Sequence, residues 1–377
     1  MSKPVRADSS PEATEHTNTP IRILIVEDSA VQSLLLRHIL ETQTGLEVVG
    51  TACNGQEALR LTAELEPDLI TMDVQMPVMD GLEATRAIME RYPRPILVVA
   101  ALSSKQSVAA QEMLGAGALD VFPKPTNLDE WYAVAELLGE RVRVLAHASL
   151  LSETKLQSYS SAARRTALAN RGRPHVIALA ASTGGPLALQ RILRRLPANY
   201  CVPIVVVQHI APGFGAGLAR WLGSTCALPV RLAVERADVE CRGVTVAPDD
   251  QHLLVTYEKK FQFGADLSVG SLRPRADLLF SSLARVYGAL AVGIVLTGMG
   301  DDGAQGLSEL HRAGALTIAQ DESTSVVYGM PKAAFEAGAT TLMLSLNDIA
   351  TLVRQLGVKS PHTTDTRGSY PSSESRP

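Results

Sequence analysis

Aromatic residues are scarce in this chain: Phe, Tyr and Trp together make up 4% of its 377 residues. Hydrophobic residues nevertheless reach 46%. The core must therefore be Leu, Val, Ile and Ala, which suits buried parallel strands covered by helices. Cysteines are few and scattered. Cys53, Cys201, Cys226 and Cys241 form no CxxC pair, so a zinc site is not expected and reduced thiols in a cytoplasmic protein are. Basic residues are not in excess, and a formal net charge of -4 argues against nucleic acid or an anionic membrane as the main partner. No apolar run approaches the roughly 20 residues needed to span a bilayer, and the N-terminus lacks the apolar segment of a signal peptide. Neither membrane insertion nor export is expected. A chain of this length is too long for one ordinary domain and comfortable for two.

Residues 1–20 and 358–377 are rich in Ser, Thr and Pro or Glu and are expected to be disordered tails. From Ile21 the pattern changes. Apolar runs at Ile21–Val26, Leu46–Ala52, Asp68–Met72, Ile96–Ala101 and Ala118–Phe122 alternate with helical stretches, which predicts a doubly wound parallel sheet over 21–140. Residues 141–173 begin helical, turn polar and basic, and read as a linker. A second α/β unit, over 174–357, has its main strands at Val176–Ala181, Val202–Gln208, Gly243–Ala247 and Ala291–Leu296. Shorter strands are expected near Leu253–Thr256, Ala315–Ala319 and Thr341–Leu344. Helices are expected at Pro186–Leu196, Gly215–Gly223, Arg275–Tyr287, Ala304–Ala313 and Met330–Ala337.

Parallel sheets place their chemistry in loops at the carboxyl ends of strands. In the first unit Glu27 and Asp28 end the first strand, Asp73 ends the third, and Lys124 follows the fifth inside Phe122-Pro123-Lys124-Pro125. Clustered carboxylates repel one another and need a cation, and an all-oxygen set suits Mg2+. A carboxylate beside that ion can attack phosphorus and form an aspartyl phosphate, with the lysine pairing the phosphoryl oxygens. Each acid alone is more often a helix cap. The joint pattern, with Asp73-Val74-Gln75-Met76-Pro77-Val78-Met79-Asp80-Gly81, is not.

These residues make the first unit resemble a response-regulator receiver domain, with a flavodoxin-like fold. The resemblance implies that Asp73 is the phosphoacceptor, that Glu27 and Asp28 help hold Mg2+, that Lys124 contacts the phosphoryl group, and that a histidine kinase is the phosphodonor. Glu27 stands where such domains usually have Asp. Ala100 aligns with the usual Ser or Thr, whose hydroxyl carries the switch. Losing that bond is expected to weaken the active-state bias by roughly 1.5–3 kcal/mol, about tenfold or more in population, unless Ser103 or Ser104 folds inward to replace it.

In the second unit, Val176–Ala181 runs into Ser182-Thr183-Gly184-Gly185-Pro186. Such a strand-to-helix turn exposes a hydroxyl beside free backbone N–H groups that suit an oxyanion. By itself it is equally an N-cap serine or a phosphate-binding loop. His209 ends the second strand, where a lone histidine is more often packed than catalytic. Thr297-Gly298-Met299-Gly300-Asp301-Asp302-Gly303 follows the strand at 291–296 and brings carboxylates to the same edge, where acids often cap the next helix. Ser, His and Asp from three strand ends are nevertheless the elements of a nucleophile, base and orienting acid, although the GxSxG elbow of the α/β hydrolases is absent.

Together with Val246-Ala247-Pro248 and Tyr328-Gly329-Met330-Pro331, these segments resemble the Rossmann-like catalytic domain of the chemotaxis protein-glutamate methylesterases (CheB), and a preceding receiver is part of that pattern. The resemblance implies Ser182 as nucleophile, His209 as general base and Asp302 as orienting acid, with the Met299 amide in the oxyanion hole and Thr183 next to the nucleophile. No cofactor is implied for the ester chemistry. The implied substrates are glutamate methyl esters and glutamines of methyl-accepting chemoreceptors. Asp301 stands where the family commonly has Asn. Pro248-Asp249-Asp250 replaces a usual Pro-Gly-Asp, and Leu272-Arg273-Pro274-Arg275 a usual His-Arg-Pro-Ser. Rival readings are a non-catalytic phosphorylation-dependent adaptor, the same esterase in a non-motility chemosensory pathway, and, a distant third, a nucleotide-binding enzyme, for which no GxGxxG or P-loop motif is expected.

Overall fold

The computed structural model describes residues 19–101, 103–148, 172–240, 242–264 and 272–357. The expected tails, apart from Thr19 and Pro20, most of the expected linker, and Cys241 lie outside these residues.

Two α/β units are present. The first carries a five-stranded sheet of order β2-β1-β3-β4-β5, with β1 Ile21–Val26, β2 Leu46–Ala52, β3 Leu69–Asp73, β4 Ile96–Ala100 and β5 Asp120–Pro123. This is the flavodoxin-like order, in which the switch point falls between β1 and β3. β3 and β4 are buried along their whole length, as expected of strands covered on both faces. The intervening helices are α1 Ala30–Glu41, α2 Gly55–Leu65, α3 Gly81–Arg91 and α4 Ser104–Gly115. Each starts where a side-chain oxygen accepts the orphan N–H of its first turn: Ser29 from Gln32, Asn54 from Glu57, Asp80 from Glu83 and Ser103 from Gln106;. The last helical stretch breaks at Val134 into α5 Leu128–Ala133 and α6 Ala135–Ala146. The buried face of α6 (Leu138, Gly139, Val142, Leu145) runs without interruption past residue 140 and packs on α1 and β3.

The second unit carries a seven-stranded sheet of order β14-β13-β12-β6-β7-β9-β8. Its central strand is β6 Val176–Ala181, flanked by β7 Ile204–Gln208 and β12 Ala291–Val295. Outside these lie β9 Val244–Val246 and β8 Val230–Leu232 on one side, β13 Leu316–Gln320 and β14 Leu342–Leu344 on the other. All of its pairings run parallel. Side chains of β6 alternate between two apolar layers, Ile177, Leu179 and Ala181 in one and Val176, Ala178 and Ala180 in the other. The sheet is therefore buried on both faces. Its helices are α7 Gly185–Leu193, α8 Gly215–Thr225, α9 Ala276–Val286, α10 Ala304–Arg312, α11 Met330–Glu336 and α12 Leu346–Gly357.

One expectation needs correction. The strand expected near 253–256 is β10 His252–Val255, and it pairs antiparallel with β11 Phe261–Gly264 in a separate two-stranded sheet. β8, β11 and α12 were not foreseen. No helix among the described residues is long and apolar enough to cross a membrane.

Candidate functional site

In the first unit, Glu27, Asp28 and Asp73 come from the ends of β1 and β3, on either side of the switch point. One carboxylate oxygen from each lies within 4.8 Å of the others. Glu27 and Asp73 are buried while Asp28 is exposed, so the cluster is open on one side. Asp73 Oδ1 accepts the Val74 N–H at 2.7 Å, and Glu27 Oε1 the Ser29 N–H at 3.3 Å. Two buried carboxylates with a third within 4.8 Å are a costly arrangement without a cation, and an all-oxygen set with an open face fits Mg2+. Lys124 directly follows β5, and its backbone N–H donates to Ala100 O at 2.7 Å. Ala100 is fully buried. The Ser103 hydroxyl is the α4 N-cap on an exposed residue, so it does not fold inward to replace the missing hydroxyl. The Ser104 side chain lies outside the described atoms.

In the second unit, Ser182, His209 and Asp302 follow β6, β7 and β12, the central strand and its two neighbours. Ala181 pairs with Gln208 in the ladder, which makes Ser182 and His209 the next residues outward on adjacent strands. The Gln208 side chain ties them together, its amide donating to Ser182 O at 2.7 Å and His209 O at 2.9 Å. From the other side of β6, the Ser182 N–H donates to Thr297 O at 3.0 Å, and the Thr297 hydroxyl donates to Thr183 O at 3.0 Å. All three candidate residues are buried.

His209 Nε2 lies 2.7 Å from Asp302 Oδ2. Asp302 Oδ2 also accepts the Ala276 N–H at 2.6 Å, and Oδ1 accepts those of Asp277 at 3.1 Å and the Arg275 Nε at 3.3 Å. Burial pushes the Asp302 carboxyl up, but the hydrogen bond and charge of His209 and the two backbone donors outweigh it and bring it to about 2;. The carboxylate is ionised at neutral pH. In the neutral imidazole the nitrogen facing Asp302, Nε2, carries the proton, which leaves the Nδ1 lone pair able to accept one. Asp301, the neighbouring acid, is exposed, so burial and the bond to His209 separate the two.

The glycines of the β12–α10 loop have distinct uses. A Cβ on Gly298 would meet the Met330 sulfur and lie 2.6 Å from Ser182 Cβ, so only glycine lets this loop close against the serine. Gly298 spends both its backbone groups internally, its N–H on Val327 O and its carbonyl on Gly329 and Met330. The Met299 N–H donates to no group among the described residues.

One expectation about this loop is corrected. The spacing Gly298-x-Gly300-x-x-Gly303 is present, after a strand and opening a helix, which is the context of a dinucleotide-binding turn. Asp277 Oδ1, however, accepts the Gly303 N–H at 3.0 Å and the Gly306 N–H at 2.7 Å. The helix N-terminus that would hold a pyrophosphate is filled by the protein's own carboxylate. The two departures around the site are also accounted for structurally. Asp249 Oδ2 accepts the Gly215 N–H at 2.6 Å and so caps α8, which has no side-chain cap of its own. Arg275 joins Asp302 and Asp277. Sequence reasoning attached no role to Gln208, Thr297 or Asp277.

The CheB methylesterase family model matches residues 177–353, and the response regulator receiver domain model residues 23–136. The chain is 42% identical over 338 residues to protein-glutamate methylesterase/protein-glutamine glutaminase 4 of Myxococcus xanthus, covering 88% of this chain and 96% of that protein. It is 42% identical over 346 residues to protein-glutamate methylesterase/protein-glutamine glutaminase 3 of Hahella chejuensis, covering 90% and 99%. The solved catalytic domain of Thermotoga maritima CheB methylesterase is 35% identical, with a TM-score of 0.47, covering 48% of this chain and 98% of that one.

Proposed function

The chain belongs to the CheB methylesterase family, and from that premise we propose that Ser182, His209 and Asp302 hydrolyse glutamate γ-methyl esters, and the side-chain amide of glutamine, on methyl-accepting chemoreceptors. His209 Nδ1 takes the proton of the Ser182 hydroxyl as Oγ attacks the ester carbonyl carbon. The carbonyl π electrons move onto oxygen, which Met299 N–H, and the backbone at Thr183, receive; each such donor is worth about 3 kcal/mol in the transition state. Collapse breaks the bond to methoxide, which leaves as methanol with the proton from His209. Water, deprotonated by the same nitrogen, then cleaves the acyl-enzyme to free glutamate and Ser182. With glutamine the leaving group is ammonia. Asp302 stays ionised throughout and stabilises the imidazolium.

The first unit, read as a receiver over 21–140 with its last helix running to Ala146, controls this chemistry in a cytoplasmic chemosensory pathway. Glu27, Asp28 and Asp73 would hold Mg2+, which would supply charge neutralisation for phosphoryl transfer from a histidine kinase. Asp73 accepts the phosphoryl group and Lys124 pairs its oxygens. Phosphorylation shifts a population rather than throwing an absolute switch, so basal activity is expected.

The observation that carries the reading is the buried His209–Asp302 pair at 2.7 Å, with His209 one position beyond β7, the strand paired with the one that presents Ser182. The test is methanol release from methylated receptor membranes by the protein and by Ser182→Ala, each with and without phosphodonor and Mg2+. Release that vanishes in the variant is expected. No release from either, with the receiver also deleted, favours the adaptor instead.

A further inference from the structure

Arg275 immediately precedes α9, and its side chain turns back over the catalytic acid. Its Nε lies 3.3 Å from Asp302 Oδ1 and its Nη2 3.2 Å from Asp277 Oδ2. Its own backbone N–H is anchored on Nδ1 of the buried His252, at 3.2 Å. The guanidinium is therefore held, three-quarters covered, against the carboxylate oxygen that His209 does not use. No other Lys or Arg pairs with Asp302 among the described residues.

We infer that Arg275 is a positioning residue that sets the working pH of the site by sharing the charge of Asp302 with His209. The inference rests on the reading of His209 as the base. An acid that delivers its full charge to one imidazole stabilises the imidazolium and raises the pH at which the base loses its proton. A cation on the second oxygen offsets part of that field, so the imidazole is freed at lower pH. The groups around it act in known directions. Asp277, on α9, is held partly neutralised by the same guanidinium and by two N–H groups of the α10 start. Asp301, in the β12–α10 loop, faces solvent. His252, from β10, uses its Nδ1 as an acceptor toward the Arg275 backbone. Removing the guanidinium thus leaves the Asp302 charge facing His209 without its cation, which pushes the midpoint upward. The position is one where this chain departs from the family's usual serine, so the device is expected to belong to this chain and to sequences sharing the arginine.

The test follows the His209 ring by NMR titration in the full chain, beside the pH profile of kcat/KM for methanol release. Arg275→Ser and Arg275→Gln are expected to raise the His209 midpoint by about half a unit to one unit, with the acid limb of kcat/KM moving in parallel. Arg275→Lys keeps the charge and is expected to keep the midpoint. A midpoint unmoved in a folded serine or glutamine variant overturns the inference, as does an equal shift in the lysine variant. If the wild-type protein releases no methanol, the NMR titration still reads the coupling, and only the methylesterase reading falls.

Discussion

Gly298 and Ser182 touch across adjacent strands so closely that a single methyl group on Gly298 would sit 2.6 Å from Ser182 Cβ. The loop after β12 and the turn after β6 are in van der Waals contact at Ser182, the proposed nucleophile.

Gly298→Ala must therefore displace either the serine or Met330. Overpacking of this kind costs about 1–3 kcal/mol of stability. A displacement of about 1 Å at the nucleophile costs about 100-fold in kcat. Denaturant unfolding and methanol release measured on the same preparation check both. Full activity would show that the backbone absorbs the methyl.

Asp302 ties the chemistry to acid stability. Its carboxyl, depressed from 3.8 to about 2, contributes stability that is complete above the unfolded value near 4 and is lost as pH falls from there through about 2. The difference corresponds to about 2 kcal/mol. Asp302→Asn is expected to flatten that part of the pH–stability curve and to lower kcat about 10,000-fold through the wrong imidazole tautomer. Urea denaturation at pH 6, 4 and 3 is the check; equal slopes in both proteins would refute the assignment.

Asp277 caps α10 from a neighbouring helix. Asp277→Ala leaves the Gly303 and Gly306 N–H groups without their acceptor and is expected to cost about 2 kcal/mol. Asp277→Asn should recover part of this, since its amide oxygen still accepts. Thermal unfolding of the three proteins gives the ranking.

Ala100 offers the receiver a gain of function. Ala100→Ser adds a hydroxyl at a fully buried strand end and is expected to raise the ratio of phosphodonor-stimulated to basal methanol release about tenfold. An unchanged ratio would mean that the missing hydroxyl does not limit the switch. Chelating Mg2+ should abolish the stimulation in both proteins.

Val78 occupies the centre of a three-residue turn closed by Met79 N–H to Pro77 O at 2.8 Å, with φ of 69°. That is a γ-turn, a strained conformation for a β-branched residue. The side chain is exposed and loses little on removal. Val78→Gly is expected to stabilise the protein by about 1 kcal/mol, measured by the midpoint of denaturant unfolding.

What could be read from the sequence divides by distance along the chain. β6, β7 and β12 were legible because strands buried on both faces are continuous apolar runs, and their ends pointed at Ser182, His209 and the acids. The α1, α2 and α3 starts were legible because Ser29, Asn54 and Asp80 lie beside the N–H groups they cap. β8 was missed because it is three residues long, lies at the sheet edge and is only partly buried. α12 was within reach, since Leu346, Ile349, Ala350, Leu352 and Val353 share one buried face. The caps supplied by Asp249 to Gly215 and by Asp277 to Gly303 and Gly306 left no local signal. Each acid is remote in sequence from the helix it serves, and only the fold brings them together. The same holds for Arg275 and Asp302.

The central place of β6 has a consequence for how hydrolytic competence arises. Ser182 and His209 are supplied by neighbouring strands made early, but Asp302, the proposed orienting acid, follows His209 by 93 residues and docks from the opposite flank of the sheet. On the proposed assignment, a nascent, nicked or truncated chain ending before α9 and α10 carries Ser182 without an oriented His209. Competence therefore arrives with the last third of the chain, and partial products of synthesis or proteolysis are expected to be inert toward esters rather than indiscriminate.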